Sequence, residues 1–309
     1  MTDAVRATME EIDIAKSFVR KYSDRLQMAY TSDDITSIFQ AGRVASLMGI
    51  EGGHSIDSSL GALRQFYDLG VRYMTLTHTC NNAWAQSCDN AEWHAYESVK
   101  GLTKNGFTNP LDGPFSGQQV VLEMNRIGMM VDLSHVDAST MRDALAITQA
   151  PVIFSHSAAF GLVPVGRNVP DDVILSLAQN GGIMMIPFYN NFTNWAGAGT
   201  VNNASNIADH FDYVRRLTGS VANLGVGSDF EGGDDFSDFP PDLNNVSMYP
   251  TLFAELIRRG YSDDEIIAIL GGNLQRVMRA VEGVAATLQA QRNQGEKRLI
   301  YNETCRSNY

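Results

Sequence analysis

The sequence has 309 residues, of which 44% are hydrophobic and 19% are charged, which is typical of a globular protein with one large core or two small ones. Its formal net charge of −12 repels phosphate, which excludes nucleic acid as an expected partner and favours a small substrate or a protein. No apolar run approaches the roughly 20 residues that span a bilayer, so no transmembrane segment is predicted.

Residues 1–24 show helical periodicity with mixed charge, and they lack the basic and then apolar order of an export signal. As written, the chain is therefore expected in the cytoplasm, and secretion would need a signal upstream of Met1.

Beyond this segment, short apolar runs alternate with longer amphipathic stretches, which is typical of βα units around a parallel sheet. The predicted strands are 44–51, 72–78, 128–135, 151–157, 182–189 and 224–230. The predicted helices are 58–70, 116–128, 137–148, 170–182, 206–219, 249–260 and 262–291. No linker or repeat interrupts the series, so residues 1–309 are predicted to form a single α/β domain.

Five of the six predicted strands end in polar residues that could bind metal or carry protons. These residues are Glu51 with His54 just beyond it, His78, His135, His156 and Asp229. In an α/β barrel the carboxyl ends of the strands converge on one face, so these side chains are expected to meet. Any one of the histidines could instead be a hydrogen-bonded residue at the edge of the core, but the whole set favours a site. The two remaining histidines, His94 and His210, fall in a loop and on a helix, and both are expected at the surface.

Imidazoles and a carboxylate without a nearby cysteine suit zinc, or else manganese or iron. Such an ion lowers the pKa of bound water and polarises a carbonyl, so hydrolysis is the expected chemistry. Asp229 could join this site or could cap the turn that follows it. Arg167, in a loop over the same face, could bind a substrate carboxylate with two hydrogen bonds or could be a solvated surface charge.

Six motifs then follow one another along the chain: EGGHSIDSSLGALRQFYDLGVRYMTLTHTCNN, VDLSHVDASTM, APVIFSHSAAF, GRNVPDDV, PFYNN and GVGSDFEG. In order and spacing they resemble the membrane (renal) dipeptidases, a family of zinc peptidases. The resemblance runs from near Val5 to the C-terminus. It implies a TIM-like (β/α)8 barrel of the metal-dependent hydrolase type, in which two zinc ions and metal-activated water hydrolyse dipeptides.

The resemblance also implies metal ligands. Glu51 resembles the carboxylate that bridges the two zinc ions, and His135 and His156 resemble ligands of the second ion. A C-terminal cysteine like Cys305 bridges two subunits in some members, which implies a homodimer. Secreted relatives pair a cysteine at the position of Cys80 with one nearer the N-terminus, and no such partner occurs here.

Three further residues resemble parts of the family's catalytic and substrate-binding machinery. His78 resembles the residue that contacts the substrate near the scissile carbonyl. Arg167 resembles the one that grips the free carboxylate. Asp229 resembles the acid and base near the attacking water and the leaving amine.

One departure from the family is large. The family's first strand carries a His-x-Asp pair that binds the first metal. Two His-x-Asp triplets occur in this sequence, and neither fits the position of that pair on a strand. His210-Phe211-Asp212 is predicted in a helix, where residues i and i+2 do not share a face, and Asp137 after His135 is predicted to cap a helix. Only six of eight barrel strands are visible. The first strands and the missing pair are therefore expected before residue 1, and one zinc ion instead of two is expected here.

Three functions remain open from the sequence. The first is a metallodipeptidase of this family, although this chain is expected to be weakly active or inactive. The second is a catalytically impaired family remnant that binds or interacts through its dipeptide-shaped cleft. The third is another barrel amidohydrolase that acts on a cyclic amide or a phosphoester, which leaves Arg167 without an explanation.

Overall fold

A computed structural model describes residues 3–88, 100–103, 116–194 and 201–291 of the protein. His94 and Cys305, for which the sequence made predictions, lie outside these residues. The strands are β1 (Leu26–Met28), β2 (Val44–Ser46), β3 (Met48–Ile50), β4 (Val71–Thr75), β5 (Met130–Asp132), β6 (Ile153–Phe154), β7 (Ile183–Ile186) and β8 (Leu224–Val226). The helices are α1 (Ala4–Lys21), α2 (Ser32–Gln40), α3 (Leu60–Asp68), α4 (Gly117–Ile127), α5 (Ala138–Ile147), α6 (Asp171–Asn180), α7 (Asn190–Thr193), α8 (Ala204–Thr218), α9 (Tyr249–Arg258), α10 (Asp263–Ile267) and α11 (Asn273–Ala290).

The main sheet consists of strands β3 to β8, hydrogen-bonded in sequence order and all parallel. Every one of these strands therefore ends at the same edge of the sheet. This confirms the expectation that residues at the carboxyl ends of the strands lie on one face. A separate parallel ladder joins β1 to β2. Since Leu47 alone separates β2 from β3, the predicted strand 44–51 is a strand, but it is divided between two ladders.

The structure contains three elements that the sequence did not predict: the strand β1, the helix α2 and the short helix α7. The strand β1 has three residues, none of them fully buried, and so gives no apolar run. The helix α2 begins at a capping box, in which the Thr31 side chain accepts from the Asp34 N–H and Asp34 accepts from the Thr31 N–H. The estimate of six strands is therefore too low. The described residues contain eight, because β1 was not predicted and the predicted strand 44–51 is divided into β2 and β3.

The core lies where the helices cover the sheet. All four residues of β7 are buried, as expected of a parallel strand covered on both faces. A second apolar cluster forms where Val277, Met278 and Val281 of α11 pack against Met130 and Ile183 of the sheet. No helix among the described residues is both long and apolar enough to cross a membrane.

One close contact explains the glycine two residues before Glu51. Gly49 and Tyr73 are partners in the β3–β4 ladder, and a Cβ atom added to Gly49 would lie 2.1 Å from Cζ of Tyr73. The tyrosine ring therefore lies across the backbone of Gly49. In a sheet, such a ring covers the apolar gap that the missing glycine side chain would leave. This packing requires glycine at position 49 and sets the path of β3 into Glu51.

Candidate metal and substrate site

Five candidate residues follow the carboxyl ends of five parallel strands. Glu51 comes directly after β3, whereas His78, His135, His156 and Asp229 come two or three residues after β4, β5, β6 and β8. The turns are short, so the side chains project over the edge of the sheet. The structure therefore brings together residues that are up to 178 positions apart in the sequence.

The tightest part of the site joins one carboxylate to two imidazoles. The Oε1 atom of Glu51 lies 3.0 Å from Nε2 of His135 and 3.1 Å from Nε2 of His156. The two Nε2 atoms lie 2.8 Å from each other. These three atoms converge on one point, as the sequence predicted for Glu51, His135 and His156.

Two further residues lie around this cluster. Nε2 of His78 is 4.0 Å from Oε2 of Glu51, and its ring packs 4.5 Å from the ring of His135. On the other side, Oδ2 of Asp229 is 3.9 Å from Nε2 of His156. His78 is 38% exposed whereas His156 is 10% exposed, so His78 lies at the open side of the site.

The electrostatics of the cluster leave donor atoms ready to bind a cation. Hydrogen bonds from His135 and His156 hold the pKa of Glu51 well below its usual range, so this carboxylate is ionised at neutral pH. Burial lowers the pKa of His135 to about 3, so its imidazole is neutral. A metal ligand must be an ionised carboxylate or a neutral imidazole, and both conditions hold here.

The spacing of the donor atoms fits a metal ion. Tetrahedral zinc with bonds of about 2.0–2.1 Å keeps its ligand atoms about 3.3 Å apart, close to the separations of 2.8 to 3.1 Å between Glu51, His135 and His156. Ligand atoms of Glu51, His78 and His135 also lie within 4.8 Å of one another. Of the two histidines that could complete the set, His156 lies closer to Glu51 than His78 does.

The backbone is strained at two of these residues. His135 has a φ of 68° and Asp229 a φ of 62°, in the left-handed region that glycine normally occupies. Each such conformation costs about 1–3 kcal/mol and persists only where surrounding contacts impose it, which is common at functional sites. Asp229 occupies the N-cap position of a short 3-10 helix, but its side chain makes no capping hydrogen bond, so the carboxylate remains available to the site.

Arg167 is buried, interacts electrostatically with Glu51 and Asp229, and is not a solvated charge. It is 3% exposed, its Nη1 donates to Oγ of Ser157 at 3.0 Å, and its guanidinium lies 5.2 Å from the Phe192 ring centre. Its Nε and Nη2 atoms are buried and have no hydrogen-bond partner among the described residues. A buried guanidinium with two unused donors can bind a planar anion such as a carboxylate.

Two cavities flank the cluster. One of about 440 Å³ is lined by Glu51, His156 and Asp229 together with Tyr249. Another of about 490 Å³ lies beneath α1 and is lined by Glu51, His54 and His78. Both volumes fall in the range of small-molecule sites. His54, which follows β3, thus contributes to a cavity wall and not to the donor cluster.

The structure corrects the prediction for His210 and confirms the predictions for two aspartates that follow a histidine by two residues. His210 is 1% exposed and is therefore not a surface residue, because Ile207, His210 and Val214 share the inner face of α8. Asp212, two residues later, bonds instead to Arg259 and Tyr261. His210 and Asp212 therefore lie on different faces of α8, as predicted, and do not form a metal-binding pair. Asp137 caps α5 by accepting from the Ser139 N–H at 2.8 Å, also as predicted.

Comparison with known sequences identifies one family over nearly the whole chain. The family described as "Membrane dipeptidase (Peptidase family M19)" matches residues 1–292. Dipeptidase 3 of Rattus norvegicus is 42% identical over 282 residues, which cover 91% of this chain and 53% of that protein. The chain thus spans about half the length of the curated relatives it matches.

Solved structures share the fold. An amidohydrolase from Pseudomonas aeruginosa matches with a TM-score of 0.76 and 24% identity, covering 90% of this chain and 85% of that one. A metallo peptidase from Rhodobacter sphaeroides, liganded with a phosphinate mimic of the dipeptide L-Ala-D-Ala, matches with a TM-score of 0.70 and 23% identity, covering 83% and 69%. These likenesses confirm the predicted α/β fold of the TIM-like barrel class. The match of the family model over residues 1–292 shows that the chain belongs to the membrane dipeptidase family.

Proposed function

We propose that the protein is a metal-dependent dipeptidase that uses the strand-end cluster to hydrolyse the peptide bond of a dipeptide. The observation that carries this proposal is the convergence of Glu51, His135 and His156 within 3.1 Å of one another, beside the unused donors of Arg167. Family membership supports the reaction class. The mimic of L-Ala-D-Ala bound to the Rhodobacter sphaeroides metallo peptidase suggests the first substrate to test.

Glu51, His135 and His156 would hold the metal ion, which we infer to be zinc from the donor set of two imidazoles and one carboxylate. The His-x-Asp pair that binds the family's first zinc ion has no match in this sequence, so we infer one bound ion. When bound, the ion would activate water and polarise the scissile carbonyl. His78, at the open side of the cluster, is positioned to hydrogen-bond the substrate near that carbonyl.

Substrate orientation falls to Arg167. Its two unused buried N–H groups can donate to the terminal carboxylate of a dipeptide in a bidentate pair. A longer peptide places an amide where this carboxylate would lie, and an amide leaves the buried cation uncompensated. Arg167 therefore favours free dipeptides over longer chains.

Proton transfer falls to Asp229. Burial raises the pKa of Asp229, whereas hydrogen bonds from two histidines lower the pKa of Glu51. Carboxyl groups whose pKa values are pushed apart in this way commonly divide into a proton carrier and a permanent anion. Asp229 is thus suited to take a proton from the attacking water and pass it to the leaving amine.

Metal content and hydrolysis test the proposal together. Purified protein is analysed by mass spectrometry for bound metal, and release of free alanine from L-Ala-D-Ala is measured with and without added zinc. We expect about one zinc per chain, zinc-dependent turnover, and loss of both in His135→Asn. Arg142→Met, which breaks an exposed ion pair with Asp172, is the control and should retain both.

A zinc-loaded protein that does not release alanine would contradict the proposed dipeptidase activity. It would favour the alternative, a catalytically impaired family member that binds or interacts through its cleft. Two zinc ions per chain would show that other residues replace the His-x-Asp pair. The homodimer that the family resemblance implies is a separate proposal, and sedimentation of the same sample tests it.

A further inference from the structure

Asp132 is a fully buried carboxylate directly behind the candidate metal ligands. It ends strand β5 and is 0% exposed. Its Oδ1 atom accepts the N–H of Ser134 at 3.0 Å and the N–H of Ser155 at 3.0 Å. Ser134 immediately precedes His135, and Ser155 immediately precedes His156. One oxygen atom therefore joins the two turns that carry the candidate ligands.

Serine side chains extend this connection. The Oγ atom of Ser134 accepts the N–H of His156 at 3.0 Å and is hydrogen-bonded to Oγ of Ser157 at 3.0 Å. Ser157 in turn accepts from Nη1 of Arg167. The Oγ atom of Ser155 lies 2.8 Å from Nδ1 of His156, which fixes the orientation of that ring. The network links the metal cluster to the substrate-binding guanidinium.

A carboxylate at this depth has no obvious purpose in the fold alone. Burying it is costly, and its second oxygen, Oδ2, is buried without a partner among the described residues. An apolar residue would fill the same space more cheaply. What the carboxylate provides is a shared acceptor for two backbone N–H groups, one of them next to His135 with its left-handed φ of 68°.

We propose that Asp132 is a positioning residue that holds the imidazoles of His135 and His156 at the separation needed to bind the metal ion. This inference rests on the proposed function. Asp132 touches neither metal nor substrate and acts only through the backbone of Ser134 and Ser155. The acceptor position matters for this role, and the negative charge does not.

Two substitutions separate position from charge. Asp132→Asn keeps an oxygen acceptor in place and removes the charge, so we expect its zinc Kd to stay within about threefold of the unsubstituted protein. Asp132→Ala removes the acceptor, and loss of a group that orients metal ligands typically weakens metal affinity by about 10–100-fold. Zinc Kd is measured by competition with a chelator, and the visible spectrum of the cobalt-loaded protein reports the ligand geometry.

Glu123→Gln is the matched control. Glu123 is also a buried carboxylate, at 5% exposed, but it pairs with Arg64 and Arg126 away from the site. The control should lower stability without changing the zinc Kd. If Asp132→Ala does not fold, Asp132→Glu takes its place, since it keeps the charge and moves the acceptor by one methylene group, with the same expected loss.

Two results would overturn the inference: a folded Asp132→Ala or Asp132→Glu protein with unchanged zinc Kd, or an Asp132→Asn protein that loses affinity as strongly. Crystal structures of the metal-free variants test the same idea without any metal. The Nε2–Nε2 separation should stay near 2.8 Å in the Asn variant and widen in the Ala variant. If the unsubstituted protein binds no zinc, the proposed function fails, and these structures still decide the role of Asp132.

Discussion

At the scale of single residues, the most consequential side chain is a cation buried without full compensation. Arg167 makes one hydrogen bond to Ser157 and has two buried nitrogens with no protein partner among the described residues. Burial lowers its pKa, yet an arginine remains charged at neutral pH. The folded protein therefore carries a cost at this position that a bound carboxylate would offset.

Replacement of Arg167 by methionine should separate stability from function. We expect Arg167→Met to raise the free energy of unfolding by about 1–4 kcal/mol, because a buried uncompensated charge is replaced by an apolar side chain of similar length. The same variant should raise the KM for L-Ala-D-Ala by about 100-fold, since a charged hydrogen-bonded pair is lost. Urea denaturation and steady-state kinetics measure the two effects. A variant with unchanged KM would remove Arg167 from the substrate site.

His210 predicts how stability depends on pH. Its Nδ1 atom accepts the N–H of Ala159 at 3.1 Å and its Nε2 atom lies 3.2 Å from the carbonyl of Thr193, and burial lowers its pKa to about 4. In the unfolded chain a histidine has a pKa of about 6.5. Between these two values the unfolded state binds more protons, so the free energy of unfolding rises with pH across this window.

The expected effect is a loss of about 3 kcal/mol from this group as the pH falls from 7 to below 4. His210→Gln removes the titrating group, so its free energy of unfolding should fall less steeply over the same range, whatever its value at pH 7. Urea denaturation at several pH values measures both slopes. Equal slopes for the two proteins would show that His210 does not titrate as its burial implies.

The sequence predicted residue positions well where polar residues followed several strands. It predicted them poorly where burial depended on which face of a helix a residue occupies. Glu51, His135 and His156 were found because parallel strands must end at one edge. His210 was placed at the surface, although its spacing from Ile207 and Val214 matches the buried face of α8. Asp132 was missed because a carboxylate on an apolar strand gives no signal until its hydrogen bonds are known.

At the scale of elements, the helices and strands were largely predictable and their boundaries were not. The capping box at Thr31 and Asp34 was a readable signal for α2, whereas β1 is too short to show a period. The division of the strand 44–51 at Leu47 depends on two different neighbouring strands. That contact is tertiary, so no local pattern of the segment could reveal it.

The helix α11 is joined to α2 by a partly buried contact. Oε1 of Glu282 accepts the N–H of Ser32 at 2.7 Å, and its Oε2 accepts from the Ser32 hydroxyl at 2.7 Å. Glu282→Ala should lower the free energy of unfolding by about 1–3 kcal/mol, because it leaves two donors at the start of α2 without their charged acceptor. Denaturation in urea measures the loss, and the zinc Kd should not change.

Arg279→Ala provides the control on the same helix. Arg279 also bonds to α2, through Asp33, but both side chains are mostly exposed, and such pairs contribute about 0–1 kcal/mol. We expect a change within that range. A loss as large as that of Glu282→Ala would mean that the general docking of α11, and not the partly buried contact, determines stability.

At the scale of the whole molecule, metal binding should be coupled to folding. Glu51 and His156 are 105 positions apart in the sequence and meet only in the folded state, so we expect zinc to bind the folded protein in preference to the unfolded chain. Zinc at 1,000 times its Kd is expected to add about 4 kcal/mol to the free energy of unfolding, or roughly 6 °C in Tm for a chain of this size. Thermal unfolding with zinc and with a chelator measures the shift.

The shift should vanish in His135→Asn, which loses one of the three donors. An equal shift in that variant would place the zinc elsewhere on the protein. The sequence alone could not choose between a dipeptidase, a non-catalytic relative and another amidohydrolase, since all three would share these donors. The family match favours the dipeptidase family over an unrelated amidohydrolase. The single-domain organisation over residues 1–309 remains a prediction.

The packing of α11 has a consequence for the order of events during synthesis. Ser32 and Glu282 are separated by 250 residues, which a ribosome adds in roughly 10–50 s at about 5–20 residues per second. In the later part of that interval, after Ile183 has been made and before α11 has, Met130 and Ile183 lack the cover that Val277, Met278 and Val281 provide. The nascent chain therefore exposes apolar surface until α11 is synthesised. Chaperones that bind such surface are most needed just before α11 leaves the ribosome.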